Sequence, residues 1–180
     1  MLKTPINREN FQIETERLLL VPIDLSHDQE IFKEFDTDVT TYMTPTPPDK
    51  IEDTQEFIKS WMQKNTEQKD AQLVILKKDS KEFIWCIGLH KIDTTIPEFW
   101  IRTKKSSHGN KYGKEAIQWL YKRAQENIEA EYIIYPVDHR NIASCKLPEN
   151  LWWTTDWVMN LEDTFDWSRK LEIIKYKIKL

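Results

Sequence analysis

Two residues in one short stretch, Cys145 and His139, have the types that nucleophilic acyl chemistry needs. Cys145 lies four residues after Asn141, so in a helix starting at Asn141 the two share a face near the N-terminal end. The helix dipole there favours thiolate over thiol. His139 stands two residues before that N-cap, on the turn entering the same helix. A cysteine activated by a histidine attacks acyl groups, and free N–H groups at a helix start can hold an oxyanion. Cys145 and His139 therefore read as the catalytic dyad of a cysteine ester hydrolase. Cys86, beside Trp85 in an apolar run, reads as inert core. His90 and His108 read as strand-end or loop residues, and no His/Cys/Asp spacing suggests a metal site.

A second stretch could hold an anion. Ser106 to Ile117 contains two of the chain's three glycines, Gly109 and Gly113, and opens the longest amphipathic pattern. Ala116, Ile117, Leu120, Tyr121, Ala124 and Ile128 recur at helical spacing, so one apolar face seats on a sheet. A glycine-bearing turn into a helix leaves backbone N–H groups aimed at one spot, which suits a phosphate.

The elements that position these residues follow in order. Arg17 to Ile23 reads as a strand, closed by Pro22 and Asp24. Ser26 is the expected N-cap of a helix through Ile31, Phe32 and Phe35, with Gln29 completing a capping box. Thr44-Pro-Thr-Pro-Pro48 is a stiff extended linker. A second helix begins at Asp49 or Asp53, with Phe57, Ile58, Trp61 and Met62 on one face. Residues 71–76 and 82–90 form an antiparallel pair around a Lys-Lys-Asp-Ser turn, and 98–103 and 131–137 are further strands. Asn141 opens a short helix that Pro148 kinks or shortens. Residues 158–165 and 171–180 form a closing hairpin, in which Ile174, Tyr176 and Ile178 alternate with lysines.

Several of these segments resemble the GNAT acetyltransferases. His108-Gly-Asn-Lys-Tyr-Gly113 is similar to that family's pyrophosphate loop, Q/R-x-x-G-x-G/A, with Lys111 where the first glycine is usual. Pro97 to Thr103 resembles the family's fourth strand, Tyr132 to Asp138 the fifth, and Asn141-Ile-Ala-Ser144 the N-x-x-S opening of the next helix. Glu14 to Leu20 is similar to the first strand of the RimJ/RimL-like branch, which acetylates protein N-termini and related amines. The resemblance runs from about residue 14 to the end. It implies one α+β domain over residues 1–180 with the GNAT fold: a mixed, mostly antiparallel twisted sheet of about seven strands flanked by about four helices. It also implies an acetyl-CoA site. The N–H groups of His108, Gly109, Asn110, Lys111 and Gly113 would hold the pyrophosphate, Asn141 the pantetheine arm, and Ser144 would sit near the departing sulfur. The early helices would wall the acceptor side.

The departures from the family point elsewhere. With 3 Gly and 8 Trp, the chain is poor in the one and rich in the other, since average usage would give about 13 glycines. Trp85 and Trp100 stand where relatives read glycine, and Arg102 where they often read tryptophan. Trp152 and Trp153 stand at the helix stop, with Trp157 shortly after and Trp167 in the hairpin turn. Each indole buries on the order of 200 Å² and cannot replace a glycine at a close approach. Converging on the cofactor cleft, these rings would fill the pantetheine slot. The pattern reads as an engineered scaffold whose pocket (Trp85, Trp100, Arg102, Trp152, Trp153, Trp157, Trp167) takes a small apolar or aryl ester, with no cofactor. Two alternatives remain: the family's acetyl-CoA-dependent N-acetyltransferase activity, or a non-catalytic module binding through a tryptophan patch.

Bulk properties bound the rest. A 180-residue chain with 39% apolar residues can bury a real core. A net charge of −4 argues against a nucleic-acid partner. The absence of a long apolar run or signal-peptide start, with two cysteines, predicts a cytoplasmic protein without a membrane span. The oligomeric state is open, a homodimer included.

Overall fold

The computed structural model of the protein describes residue 3 and residues 11–149 and 171–180. Seven strands form one sheet in strict sequence order: β1 (Ile13–Glu14), β2 (Leu18–Pro22), β3 (Ala71–Lys77), β4 (Phe83–His90), β5 (Glu98–Ile101), β6 (Tyr132–Asp138) and β7 (Ile173–Lys179). Every pairing is antiparallel except β5 with β6. The helices are α1 (Asp28–Glu34), α2 (Thr37–Thr40), α3 (Ile51–Thr66), α4 (Tyr112–Asn127) and α5 (Ile142–Glu149). The α+β sheet of seven strands stands, though with a different membership. Ile13–Glu14 joins it as a short edge strand, and the expected strand at 158–165 lies outside the described residues.

Two apolar layers sandwich the sheet. On one face Ala116, Ile117, Leu120 and Ala124 of α4 seat on Leu20, Leu73, Ile75, Ile87, Leu89 and Phe99. On the other, Ile31 and Phe35 with Ile58 and Trp61 cover Val74, Leu76, Phe83, Trp85 and Cys86. Period-two alternation assigns most of these residues, as along β3. It fails in β4, where Ile75 faces Trp85 but Leu76 faces Phe83. The extra residue is a β-bulge, and it puts the consecutive Trp85 and Cys86 in the same layer.

Two helix starts differ from expectation. Asp24, not Ser26, caps the first helical segment: its carboxylate accepts the Ser26 N–H at 2.9 Å, and a 3₁₀ turn (Leu25–His27) precedes α1. The α3 helix begins after Lys50, which offers no side-chain cap.

Gly88 explains how β5 accommodates Trp100. The two are cross-strand partners, and a Cβ on Gly88 would lie 2.6 Å from the indole Nε1, 2.5 Å from Gln72 Oε1 and 2.7 Å from the Ala71 carbonyl oxygen. The room for the indole comes from the missing side chain opposite. Gly88→Ala is expected to lose about 1–3 kcal/mol of stability, because a backbone carbonyl cannot swing aside; a shift in the urea midpoint at constant m measures it.

Candidate functional site

The parallel step is where pairing in the sheet is sparsest, and the candidate cleft lies there. β5 and β6 pair only at Glu98 and Ile134, where the Ile134 N–H donates to the Pro97 carbonyl at 3.0 Å. Beyond that bridge they part. The continuation of β5 stays with β4, through Arg102 N–H to Cys86 O and Lys104 N–H to Ile84 O, both 3.0 Å. β6 stays with β7 as far as Asp138 and Ile173.

The start of α4 closes one side of this cleft. Lys111 is its N-cap, in the left-handed region at φ 62°, with no side-chain cap. The first-turn N–H groups of Tyr112, Gly113 and Lys114 have no acceptor within the helix, and the dipole favours an anion there. A Cβ on Gly113 would be 3.6 Å from Ile101 and Thr103 and 3.7 Å from Leu147, so α4, the end of β5 and α5 meet at this point. The loop before it is held firmly. Gly109 takes φ 81°, Asn110 Nδ2 donates to Ser107 O (3.2 Å), and Arg17 bonds Asn110 O (3.1 Å) while pairing with Glu115. One expected donor is not available: the His108 N–H already donates to Lys105 O at 3.1 Å.

The start of α5 closes the other side. Asn141 is its N-cap as expected, with Oδ1 accepting the Ser144 N–H at 3.1 Å. The Ser144 side chain is hydrogen-bonded to the hydroxyl of buried Tyr135.

The Cys145–His139 dyad is not built. The Cys145 thiol lies 3.7 Å from the His139 carbonyl oxygen and 3.8 Å from that of Asp138, while the His139 imidazole turns to Glu172. The cause is strand pairing: the His139 N–H donates to Glu172 O at 2.9 Å, continuing the β6–β7 ladder and carrying the ring toward β7. Burial, against a hydrogen bond from Tyr176, pushes the thiol pKa up, opposite to the activation expected from the helix dipole. Cys86 is fully in the core, and burial pushes its thiol to about 12.

The tryptophans also differ. Trp85, 1% exposed, stacks on Phe35 and meets Phe83 at a tilt in the α1/α3 layer. Trp100 packs on Trp61 and His90 at 4.9 and 5.8 Å between centroids, in that same layer. Neither belongs to the apolar layer under α4, so the expectation that these two fill the slot between the middle strands is corrected. Trp152, Trp153, Trp157 and Trp167 lie outside the described residues. Trp85 and Arg102 do line a cavity of about 310 Å³, on the α1/α3 side, together with Phe35, Trp61, Thr54 and the proline-rich loop.

Sequence reading missed Asp138. Its carboxylate, buried at the end of β6, accepts the Arg140 Nε (2.8 Å), the Arg140 N–H and the Glu172 N–H (both 3.0 Å). Burial would raise its pKa, but the guanidinium and the two N–H groups outweigh it and hold it at about 2, against an ordinary 3.8. A depressed carboxyl stabilises above its unfolded pKa. That contribution, about 2 kcal/mol, should be lost between about pH 4 and pH 2. Urea unfolding across this range is expected to show the loss in the parent and a flatter profile in Asp138→Asn. Among the described residues no group of His, Cys, Asp and Glu is placed to hold a metal, and no helix is long and apolar enough to cross a membrane.

Comparison with known proteins agrees with this geometry. Residues 17–151 match the family model described as the acetyltransferase (GNAT) domain. Among curated proteins none matches by sequence. Solved structures share the fold at low identity. An acetyltransferase of the GNAT family from Bacillus anthracis superposes with TM-score 0.79 at 18% identity, covering 94% of this chain and 98% of that one. The ribosomal-protein alpha-N-acetyltransferase RimL gives 0.81 at 12%, covering 94% of each chain. The microcin self-immunity acetyltransferase MccE, in complex with acetyl-CoA and AMP, gives 0.80 at 14%, covering 92% and 94%.

Proposed function

Because the chain belongs to the acetyltransferase (GNAT) domain family, we propose that it moves an acetyl group from acetyl-CoA to a primary amine, as a RimJ/RimL-like N-acetyltransferase. The observation that carries this reading is the parting of β5 and β6 after one bridge, with the free first turn of α4 on the rim. The residues present fit the donor. The Tyr112, Gly113 and Lys114 N–H groups suit its diphosphate, and Lys111 adds a charge of the right sign. Trp61, Trp85 and Trp100 stand on the other face, and Trp119 on α4 is exposed.

Acetyl-CoA supplies an activated thioester: the amine nitrogen bonds the acetyl carbon as the C–S bond breaks, the nitrogen loses a proton and the sulfur gains one. The chain's part is to orient and to supply that proton. Ser144, linked to Tyr135, is the hydroxyl offered at the start of α5. Burial raises the Tyr135 pKa further above neutrality, so its hydroxyl stays protonated there. The RimL and MccE folds support the reading, while the separated Cys145 and His139 give the ester-hydrolase reading no support.

Titration calorimetry with acetyl-CoA is the test, followed by thiol release with a panel of amines and peptide N-termini. Micromolar binding and amine-dependent release are expected. No binding at millimolar acetyl-CoA would overturn the proposal.

A further inference from the structure

The cavity under α1 and α3 has more chemistry than a packing defect needs. Its wall includes Arg102, whose guanidinium lies between two rings, 5.0 Å from the Phe35 centroid and 5.1 Å from that of Trp100. Among the described residues no carboxylate pairs with Arg102. Burial brings its pKa down only to about 10, so the charge persists at neutral pH. Arg102 is partly buried, and a cation drawn out of water without a counter-ion is costly unless a ligand supplies one.

A second group points the same way. Thr54, 3% exposed, lines the same cavity, and its Oγ1 has no hydrogen-bond partner. A buried hydroxyl left unpaired costs about 1–3 kcal/mol, a cost that a bound acceptor atom removes. The remaining wall is apolar and aromatic, from Ile31, Phe35, Phe57, Trp61 and Trp85. Asp49 and Asp53 line it from the start of α3, giving carboxylates for an ammonium group. The size, about 310 Å³, is at the small-ligand end of the usual range of about 300–1,000 Å³.

The cavity also adjoins the cleft. Arg102 faces the cavity, while the next residue, Thr103, would touch a Cβ on Gly113 at the cleft rim. One strand end therefore divides the two spaces.

We infer that this cavity is the acceptor site and that its ligand is an aromatic α-amino acid, its carboxylate on Arg102 and Thr54, its ring among Phe35, Trp61 and Trp85. The assignment of the cavity to an acceptor rests on the acetyl-transfer reading; the recognition of a carboxylate beside an aryl group does not. The acceptor nitrogen bonds the acetyl carbon and loses a proton, and the thiol leaves with one.

The test is calorimetry on the intact protein with three probes of one skeleton: L-phenylalanine, L-phenylalaninamide and phenethylamine. L-Phenylalanine is expected to bind about tenfold or more tightly than the two probes without a carboxylate. Arg102→Gln should reduce it to their level, and Thr54→Val should weaken it a few-fold, with melting curves checking that both variants fold. Equal binding of the three probes to the parent protein overturns the inference, and needs no variant. So does unchanged L-phenylalanine affinity in folded Arg102→Gln. Acetyl-CoA is titrated separately. Binding of acetyl-CoA without L-phenylalanine sinks the amino-acid assignment alone, whereas the reverse sinks acetyl transfer and leaves the carboxylate site standing.

Discussion

Trp85→Ala will cost about 3–5 kcal/mol of stability and leave acetyl-CoA affinity within about threefold of the parent. The indole is 1% exposed, stacked on Phe35 and tilted against Phe83. Removing it opens a void that α1, α3 and a two-sided β4 cannot collapse into. The ring lies in the layer opposite α4, so its loss neither widens nor blocks the β5–β6 cleft. Urea unfolding measures the first effect. Calorimetry, at a temperature where the variant is folded, measures the second. A tenfold gain in donor affinity would mean that the indole had been occupying donor space.

Gly113→Glu should behave in the opposite way. The apo protein is expected to melt no lower than the parent, since glutamate is a better helix former than glycine by roughly 0.5–1 kcal/mol and an acid in a first turn complements the dipole. A Cβ there makes only ordinary contacts with Ile101, Thr103 and Leu147. Acetyl-CoA affinity should nevertheless fall by about a hundredfold, or roughly 3 kcal/mol, because a carboxylate then competes for the N–H groups that a diphosphate needs. Gly113→Ala is the control: neutral, no bulkier than a methyl, and expected to bind the donor within a few-fold of the parent. Parent-like affinity in the glutamate variant would move the anion site off this helix.

Much of this arrangement was legible in the residues. Apolar runs located the strands at 71–77 and 83–90, the helical spacing from Ala116 to Ile128 located α4, and Asn141 announced the cap of α5. The unreadable parts depend on partners far away in sequence. The bulge that sets Trp85 and Cys86 in one layer changes parity within β4, which alternation alone cannot foresee. Trp100 looked like an obstruction because the glycine making room for it is Gly88, across a strand pair. The direction of the His139 ring was decided by β7, thirty-three residues on. Asp138 reads as a strand-end residue until Glu172, far along the chain, joins Arg140 around its carboxylate. Proximity in the chain put Cys145 and His139 together; only the approach of the thiol to the His139 carbonyl oxygen survives.

The strand order has a consequence for how the molecule is made. Each strand lies beside its sequence neighbour, and the first five are joined in succession without leaving the antiparallel pattern. Such a leaf can be laid down in the direction of synthesis, each new strand finding its template already present, with little loop-closure entropy except where β3 returns to β2 after α3. Two connections interrupt this: the long passage through α1, α2 and α3 between β2 and β3, and the crossover through α4, which ends on a single bridge. The ribosome would thus release a nearly finished N-terminal leaf before β6 and β7 emerge, and the seam that assembles last is the same one that parts to form the cleft.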